Sequence, residues 1–244
     1  MVHPTDSLFT TMLADPGRGV LGLDAHHRRL SAHGVRLRLH VPDRDAFVRE
    51  VMTSLDQIDR IHLLRWSIDR SGTIEITPRP FGPSSNDGIG ISVLAPKWSR
   101  RIRGTKHGAW APYLEARDAA RTQGADVAFL CEDGAILDAD RGTPVLLDQD
   151  GVIWTPDPEH GSVESITLEL IRPHVESRGF IFRTGRLVES MIHHARELLV
   201  VGTGLGILPI AEIDDQDVGE GSRLLLDVAR VALEEVMDTA WCKA

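Results

Sequence analysis

Lys106 stands in the run Arg101-Ile102-Arg103-Gly104-Thr105-Lys106-His107-Gly108, after a loop rich in proline and glycine and at the foot of a helix-like stretch. Beyond that helix the chain reads strand, turn, strand through Phe129-Leu130-Cys131-Glu132-Asp133-Gly134-Ala135-Ile136-Leu137-Asp138. A lysine amine can add to an aldehyde, and a carboxylate further along can hold a proton on a ring nitrogen. Two other stretches could cradle a phosphate. Ser165-Ile166-Thr167 lies in the opening turn of a predicted helix, where unpaired N–H groups and the helix dipole favour an anion. Gly202-Thr203-Gly204 follows an apolar run; its glycines permit close backbone approach and Thr203 adds a hydroxyl. Arg29 lies one helical turn from His26 on the same face, and a guanidinium can grip a phosphate with two parallel hydrogen bonds. Each motif also fits a plain structural role: Thr167 as a helix cap, the Gly-Thr-Gly run as a strand connection, Arg29 and His26 as surface residues. No His/Cys/Glu cluster at ligand spacing points to a metal, so none is expected.

The elements that must position these residues can be read from periodicity and punctuation. Residues 7–13 form a strand ended by the turn signal Asp15-Pro16-Gly17. Residues 25–32 are helical with Asp24 as N-cap, and Asp43-Arg44-Asp45 starts a second helix to about Ile58, with Phe47, Val48, Val51, Met52 and Leu55 on one face. Strands follow at 61–68, 73–77 and 90–94. A helix over 110–123 ends at Gly124, and hairpins turn at Asp133-Gly134 and Asp150-Gly151. A helix over 163–171 is stopped by Pro173; then come a strand at 180–183, a short helix within 187–195, a buried strand at 197–201 and a strand over 205–213. Ser222 caps a long terminal helix reaching about Trp241. Strands with interspersed helices imply an α+β protein. The basic connector at 98–105 marks a boundary between an N-terminal unit, 1–97, and a C-terminal unit, 106–244.

The chain has 244 residues, 42% hydrophobic and 26% charged, which fits one large globular domain or two modest ones. Net charge of −9 argues against generic binding to nucleic acid or to anionic membrane. Positive charge is nevertheless concentrated at Arg28, Arg29, Arg36 and Arg38 and again at Lys97, Arg100, Arg101, Arg103 and Lys106, as pockets for phosphate or carboxylate would require. Cys131 and Cys242 do not make a disulfide framework. No apolar run is long enough for a membrane span, and the first residues lack a signal-peptide core, so the economical reading is cytoplasmic.

Taken in order, these motifs resemble those of the class IV aminotransferases, the fold type IV enzymes that depend on pyridoxal phosphate. Phe9-Thr10-Thr11 is similar to the family's Phe-Glu-Thr strand, and His26-His27-Arg28-Arg29-Leu30 to its His-x-x-Arg-Leu helix. Gly104-Thr105-Lys106-His107 resembles the stretch around the Schiff-base lysine, in the Lys-His form of aminodeoxychorismate lyases. Glu132 through Asp138 resembles the hairpin ending in the ring-nitrogen carboxylate. Ser165-Ile166-Thr167 and Gly202-Thr203-Gly204 resemble the family's phosphate turns. The resemblance implies a small N-terminal α/β sandwich domain, a C-terminal β-barrel-like domain, pyridoxal 5'-phosphate between them, and a homodimer. It implies that Lys106 forms the Schiff base and shuttles a proton. It further implies that Asp138 holds the ring nitrogen, and that Arg29, Thr167, Thr203 and the N–H groups of Ile166 and Gly204 hold the phosphate. Arg101, Arg103 and His107, with Arg100, are candidates for the substrate carboxylate.

Several positions depart from the family. Glutamate is usual where Asp138 stands, so the arm is one methylene shorter. Ala139-Asp140-Arg141-Gly142-Thr143-Pro144 replaces a Gly- and Ser-rich segment ending in Asn, Trp110 stands in place of a tyrosine, and Ser165 in place of a glycine. The leading expectation is an aminotransferase acting on an amino acid or amino-substituted acid. A lyase eliminating pyruvate from aminodeoxychorismate is the alternative, favoured by the Lys-His pair and the short chain. A non-catalytic descendant is a further one, motivated by the altered 138–144 segment.

Overall fold

The structure is a computed structural model that describes residues 3–82 and 87–243. Met1 and Val2, part of the stretch read above as lacking a signal core, lie outside the described residues, as does Ala244. A five-stranded sheet holds β1 (Ser7–Asp15), β2 (Gly19–Leu21), β3 (His62–Asp69), β4 (Ile74–Pro80) and, from the far end of the chain, β15 (Trp241–Cys242), in the order β15-β2-β1-β3-β4. Helices α1 (Leu23–Leu37) and α2 (Arg44–Leu55) lie between β2 and β3 in the chain and share a core with this sheet built on Leu8, Met12, Leu30, Phe47 and Trp66. Alternation explains the packing. Leu64, Trp66 and Ile68 are buried along β3, while Leu63 and Arg65 point to the other face.

The larger, ten-stranded sheet takes β5 (Gly88–Leu94), β6 (Val127–Glu132), β7 (Ala135–Ala139), β8 (Thr143–Leu147), β9 (Val152–Pro156), β10 (Ile181–Gly185), β11 (Leu187–Val188), β12 (Glu197–Gly202), β13 (Gly206–Ile213) and β14 (Gln216–Asp217). Its order is β10-β9-β8-β12-β13-β5-β6-β7-β11, with β14 paired to β13. Strands β7 and β11, at one end, pack against β8 and β9, so the sheet curls into a nearly closed barrel. Helices α3 (Ala111–Thr122), α4 (Ile166–Glu176), the short α5 (Glu189–His193) and α6 (Leu224–Thr239) complete the mixed α+β architecture. Strand β12 is buried along its whole length, as its run of Leu and Val predicts for a central strand.

Strand β5, which the sequence reading assigned to the unit 1–97, is hydrogen-bonded in the larger sheet, parallel to both β13 and β6. Strand β15 returns the C-terminus to the smaller sheet. The two sheets thus exchange chain at both ends.

Several helix ends differ from expectation. Helix α1 starts at Leu23 behind Gly22, whose φ of 63° initiates it without a side-chain cap; Asp24 sits in the first turn and pairs with Arg44 at 2.8 Å. The left-handed φ at Gly22 strains most L side chains, and a Cβ there would also press on Leu170 Cδ1 at 2.7 Å. Asp43 does cap α2, accepting from the Ala46 N–H. Pro173 does not stop α4, which runs on to Glu176 because Ile171 and Val175 bury against α6. Ser222 is not the cap of α6. The buried Glu197 carboxylate accepts from the Leu225 and Leu226 N–H groups and from the Ser222 hydroxyl, a cap supplied from β12.

Candidate active site

Between the two sheets lies a cavity of about 230 Å³. Its walls are contributed by β1, β3, β4, α3, the β7–β8 connection, the start of α4 and the β12–β13 turn. Lys106, Arg29, Asp138, Ile166, Thr203 and Gly204 all line it, although they come from widely separated parts of the chain. Thr167 stands just behind, its hydroxyl 3.4 Å from that of Thr203.

Lys106 is fixed by its backbone. Its N–H donates to His33 Nδ1 of α1 at 3.2 Å, and its carbonyl accepts from the Phe9 N–H of β1 at 2.8 Å. Gly104 makes the approach possible: its φ is 67°, and a Cβ there would stand 2.7 Å from the Ser162 carbonyl oxygen. The ammonium end lies 4.6 Å from the Trp110 ring centroid and 5.6 Å from that of Phe9. Burial, aided by Arg29, Arg65 and Arg117 and opposed by Asp138, pulls the Lys106 pKa down to about 7. Asp138 on β7 is buried and accepts from the Val163 N–H at 3.0 Å. Burial pushes its pKa up to about 7, against the Val163 N–H and the charge of Lys106. The two groups face one another's field and titrate as a pair, with the lysine displaced toward its neutral form and the aspartate toward its protonated form.

Arg29 is a buried guanidinium with no carboxylate in an ion pair with it among the described residues. It donates to the Glu164 carbonyl at 2.7 Å and to the Thr10 hydroxyl at 2.8 Å, and burial lowers its pKa to about 10. The start of α4 adjoins it. Ser165 is the N-cap, accepting from the Leu168 N–H, and nothing within the helix can accept from the N–H groups of Ile166 and Thr167. A charged group held in a dry place without a counter-ion is costly. Paired with a helix N-terminus and the Thr167 and Thr203 hydroxyls, Arg29 makes a receptor for an anion such as a phosphate. Asp138 supplies the complementary feature, a buried acid suited to a ring N–H. The residues therefore fit pyridoxal phosphate.

Arg101, Arg103 and His107 do not line this cavity. Arg101 is exposed, and Arg103 bonds the Trp98 carbonyl at 3.0 Å and Glu132 at 2.9 Å. His107 is fully buried among Trp98, Trp110 and Tyr113, its ring centroid 4.8 Å from that of Trp98, and its pKa is lowered to about 4 by burial. The backbone is extended at the Leu8↔His107 bridge, so adjacent side chains face opposite ways. Lys106 takes the cavity side, and His107 is turned into the aromatic cluster.

In their place the cavity presents arginines that sequence reasoning missed, Arg65 on β3, Arg79 on β4 and Arg117 on α3, together with Arg141 of the altered 139–144 segment, whose charge the sequence already places near the cofactor. Arg65 lies over the Phe9 ring, 3.6 Å from its centroid, and burial with the nearby Arg79 charge lowers its pKa to about 10. Alternation along β3 sets Arg65 opposite the Trp66 face. Only the assembled fold shows that this second face is also covered. The 139–144 departure acquires a structure here. Buried Asp140 accepts from the Ala128 N–H at 3.1 Å and from Arg117 Nε at 3.0 Å, and Arg141 Nε lies 3.7 Å away. Thr143 donates to the Val163 carbonyl at 3.1 Å, bracing the peptide next to the one that holds Asp138. Trp110 walls the cavity, stacked on Tyr113 with centroids 3.8 Å apart. A separate cavity of about 240 Å³ beside Cys131 and Ile192 contains none of the expected site residues.

Comparison with known proteins agrees with this fold. The family model for amino-transferase class IV matches residues 7–213. A branched-chain-amino-acid aminotransferase of Pseudomonas aeruginosa is 27% identical over 140 residues, covering 55% of this chain and 45% of that protein. The chain spans about half the length of the curated relatives it matches. Among solved structures, a putative 4-amino-4-deoxychorismate lyase from Legionella pneumophila superposes with a TM-score of 0.84 at 15% identity, over 95% of this chain and 91% of that one. A branched-chain aminotransferase from Thermoproteus uzoniensis, solved with norvaline, gives 0.84 at 20% identity, over 96% and 86%. A hypothetical aminotransferase from Mycobacterium tuberculosis, in an alpha-ketoglutarate and PMP bound form, gives 0.82 at 17%, over 97% and 93%. These structural likenesses establish the fold, fold type IV, and with the family match over most of its length the chain belongs to the class IV aminotransferases.

Proposed function

We propose that this protein is a pyridoxal phosphate-dependent aminotransferase acting on an amino acid or amino-substituted acid. The observation that carries the reading is the half-buried Lys106, its amine displaced toward the neutral form, sharing one cavity with Asp138 and with Arg29, which has no ion-pair partner among the described residues. When bound, pyridoxal phosphate supplies an aldehyde that captures amines and a protonated ring that draws electrons from the adjoining carbon. Arg29, the Ile166 and Gly204 N–H groups and the Thr167 and Thr203 hydroxyls would hold its phosphate. Asp138, oriented by the Val163 N–H, would keep a proton on the ring nitrogen. Lys106 would bind the aldehyde carbon through Nζ and afterwards carry a proton between the substrate Cα and the cofactor C4′, a role that needs a neutral amine. Phe9 and Trp110 exclude water from one side of Nζ. Arg65 and Arg79, which have no ion-pair partner among the described residues, take over the substrate carboxylate from Arg101, Arg103 and His107.

The lyase alternative drew on the Lys-His pair and the short chain; His107 faces away from the cavity, which removes the first of these grounds and favours transamination. Incubation with aminodeoxychorismate decides between them: release of pyruvate without an added keto acid would favour the lyase. Titration with pyridoxal phosphate, borohydride reduction and peptide mass mapping test the central claim. The cofactor mass is expected on the peptide containing Lys106, and its absence there, or its persistence in Lys106→Ala, would leave the non-catalytic descendant.

A homodimer and a cytoplasmic setting belong to the same reading. Leu114 lines the cavity yet is 45% exposed, an apolar rim that a second copy would cover. No helix among the described residues is long and apolar enough to cross a membrane.

A further inference from the structure

Arg29 reaches the anion site with one guanidinium nitrogen committed to Thr10, and Thr10 is fully buried. An arginine N–H can only donate, so the Thr10 oxygen accepts from it. The Thr10 hydroxyl proton must then be donated elsewhere, since a buried unpaired donor is costly. Its partner is His26 Nδ1 on α1, 2.7 Å away. The three side chains form a relay in one direction: Arg29 donates to Thr10, and Thr10 donates to His26. His26 must therefore carry its proton on Nε2 and remain neutral.

From this geometry we infer that Thr10 and His26 are positioning residues for the cofactor phosphate, acting through Arg29 by setting the rotamer of its guanidinium. The inference rests on the proposed cofactor reading above. It accounts for why Thr10 can stand where the resembled strand has a glutamate. The neutral hydroxyl orients the guanidinium by accepting from it and adds no charge of its own. Burial and the charges of Arg29 and Lys106 hold the His26 pKa well below its ordinary value, which keeps Nδ1 free to accept. Were His26 protonated there, Thr10 would face donors on both sides and lose the acceptor for its own proton.

The test compares a ligand that carries the phosphate with one that lacks it. Dissociation constants for pyridoxal phosphate and for pyridoxal are measured by absorbance on the wild type, Thr10→Val, Thr10→Ser, His26→Phe and His26→Asn. Thr10→Val and His26→Phe are expected to weaken pyridoxal phosphate by about tenfold, the scale of one lost hydrogen bond to a charged group, with pyridoxal unchanged. Thr10→Ser and His26→Asn, which keep the hydroxyl and the acceptor, are expected to restore it. Equal losses for both ligands, or none, would overturn the relay. A second arm uses inorganic phosphate alone and reads the rise in melting temperature it causes. That rise is expected in the wild type and Thr10→Ser and is expected to shrink in Thr10→Val; an unchanged or absent rise overturns the relay whatever the cofactor does. Failure of wild-type protein to bind pyridoxal phosphate, with the phosphate response intact and sensitive to Thr10, would sink the functional reading alone.

Discussion

At the scale of single residues, the proposed chemistry turns on a lysine displaced toward its neutral form beside an acid displaced toward its protonated form. Covalent capture of pyridoxal phosphate requires the free amine, so the capture rate is expected to rise with pH through about 7 and to level off before pH 9. An unperturbed lysine would keep rising toward its ordinary pKa of about 10.4. Stopped-flow absorbance at a series of pH values distinguishes the two. Asp138 raises the Lys106 pKa through its charge, so Asp138→Asn is expected to move the midpoint to lower pH. On the proposed role of Asp138 the variant would no longer keep a proton on the ring nitrogen, and turnover is expected to fall by about 100-fold, equivalent to roughly 2.7 kcal/mol of transition-state stabilisation. Arg65→Ala tests the carboxylate assignment. KM for the amino acid should rise by about tenfold or more while the pyridoxal phosphate dissociation constant stays within about twofold; the opposite split would place Arg65 on the cofactor instead.

At the scale of elements, the motifs were legible because each is local: an N–H-rich helix start, a glycine turn, a hairpin ending in an acid. Their boundaries were less so, because caps were supplied from elsewhere in the fold. Glu197 is the clearest instance. It lies in an apolar run that reads as a central strand, yet its carboxylate crosses to the start of α6 and accepts from the Leu225 and Leu226 N–H groups. Glu197→Gln removes one of those acceptors and its charge. It is expected to destabilise the protein by about 1–3 kcal/mol, measured by urea denaturation, with little change in cofactor affinity. Pro173 shows the converse. Its local penalty for helix continuation is outweighed by burial of Ile171 and Val175 against α6.

At the scale of the whole molecule, the histidines around Lys106 tie stability to pH. The folded pKa of His33 is lowered to about 3 and that of His107 to about 4, both by burial. The unfolded chain, with histidine near 6.5, therefore binds more protons than the folded one across the window below pH 6.5. Their stabilisation is fully present above about pH 6.5 and is lost as pH falls toward 4. At pH 5 each histidine costs up to about 2 kcal/mol, so the urea midpoint should drop between pH 7 and pH 5, and His33→Asn should flatten that drop. Asp138, protonated in the fold up to about pH 7, acts in the opposite sense in this window, so the comparison with His33→Asn is decisive: the same drop in both proteins would mean that the His33 ring is not held neutral.

The sequence by itself pointed to the family and the α+β class and singled out Lys106, Asp138, Arg29 and the turns proposed to hold the phosphate, because these depend on residue type and on spacing within single elements. The tertiary structure alone decided which faces meet. Adjacent residues on an extended backbone point opposite ways, so Lys106 entered the cavity and His107 left it. Arg65, Arg79 and Arg117 carry no motif, and only the closing of the two sheets on one cavity converges them there. The relay from His26 through Thr10 to Arg29 likewise joins a helix to a strand across sixteen and nineteen positions of sequence. Side-chain convergence of that kind is a property of packing, and no local pattern encodes it.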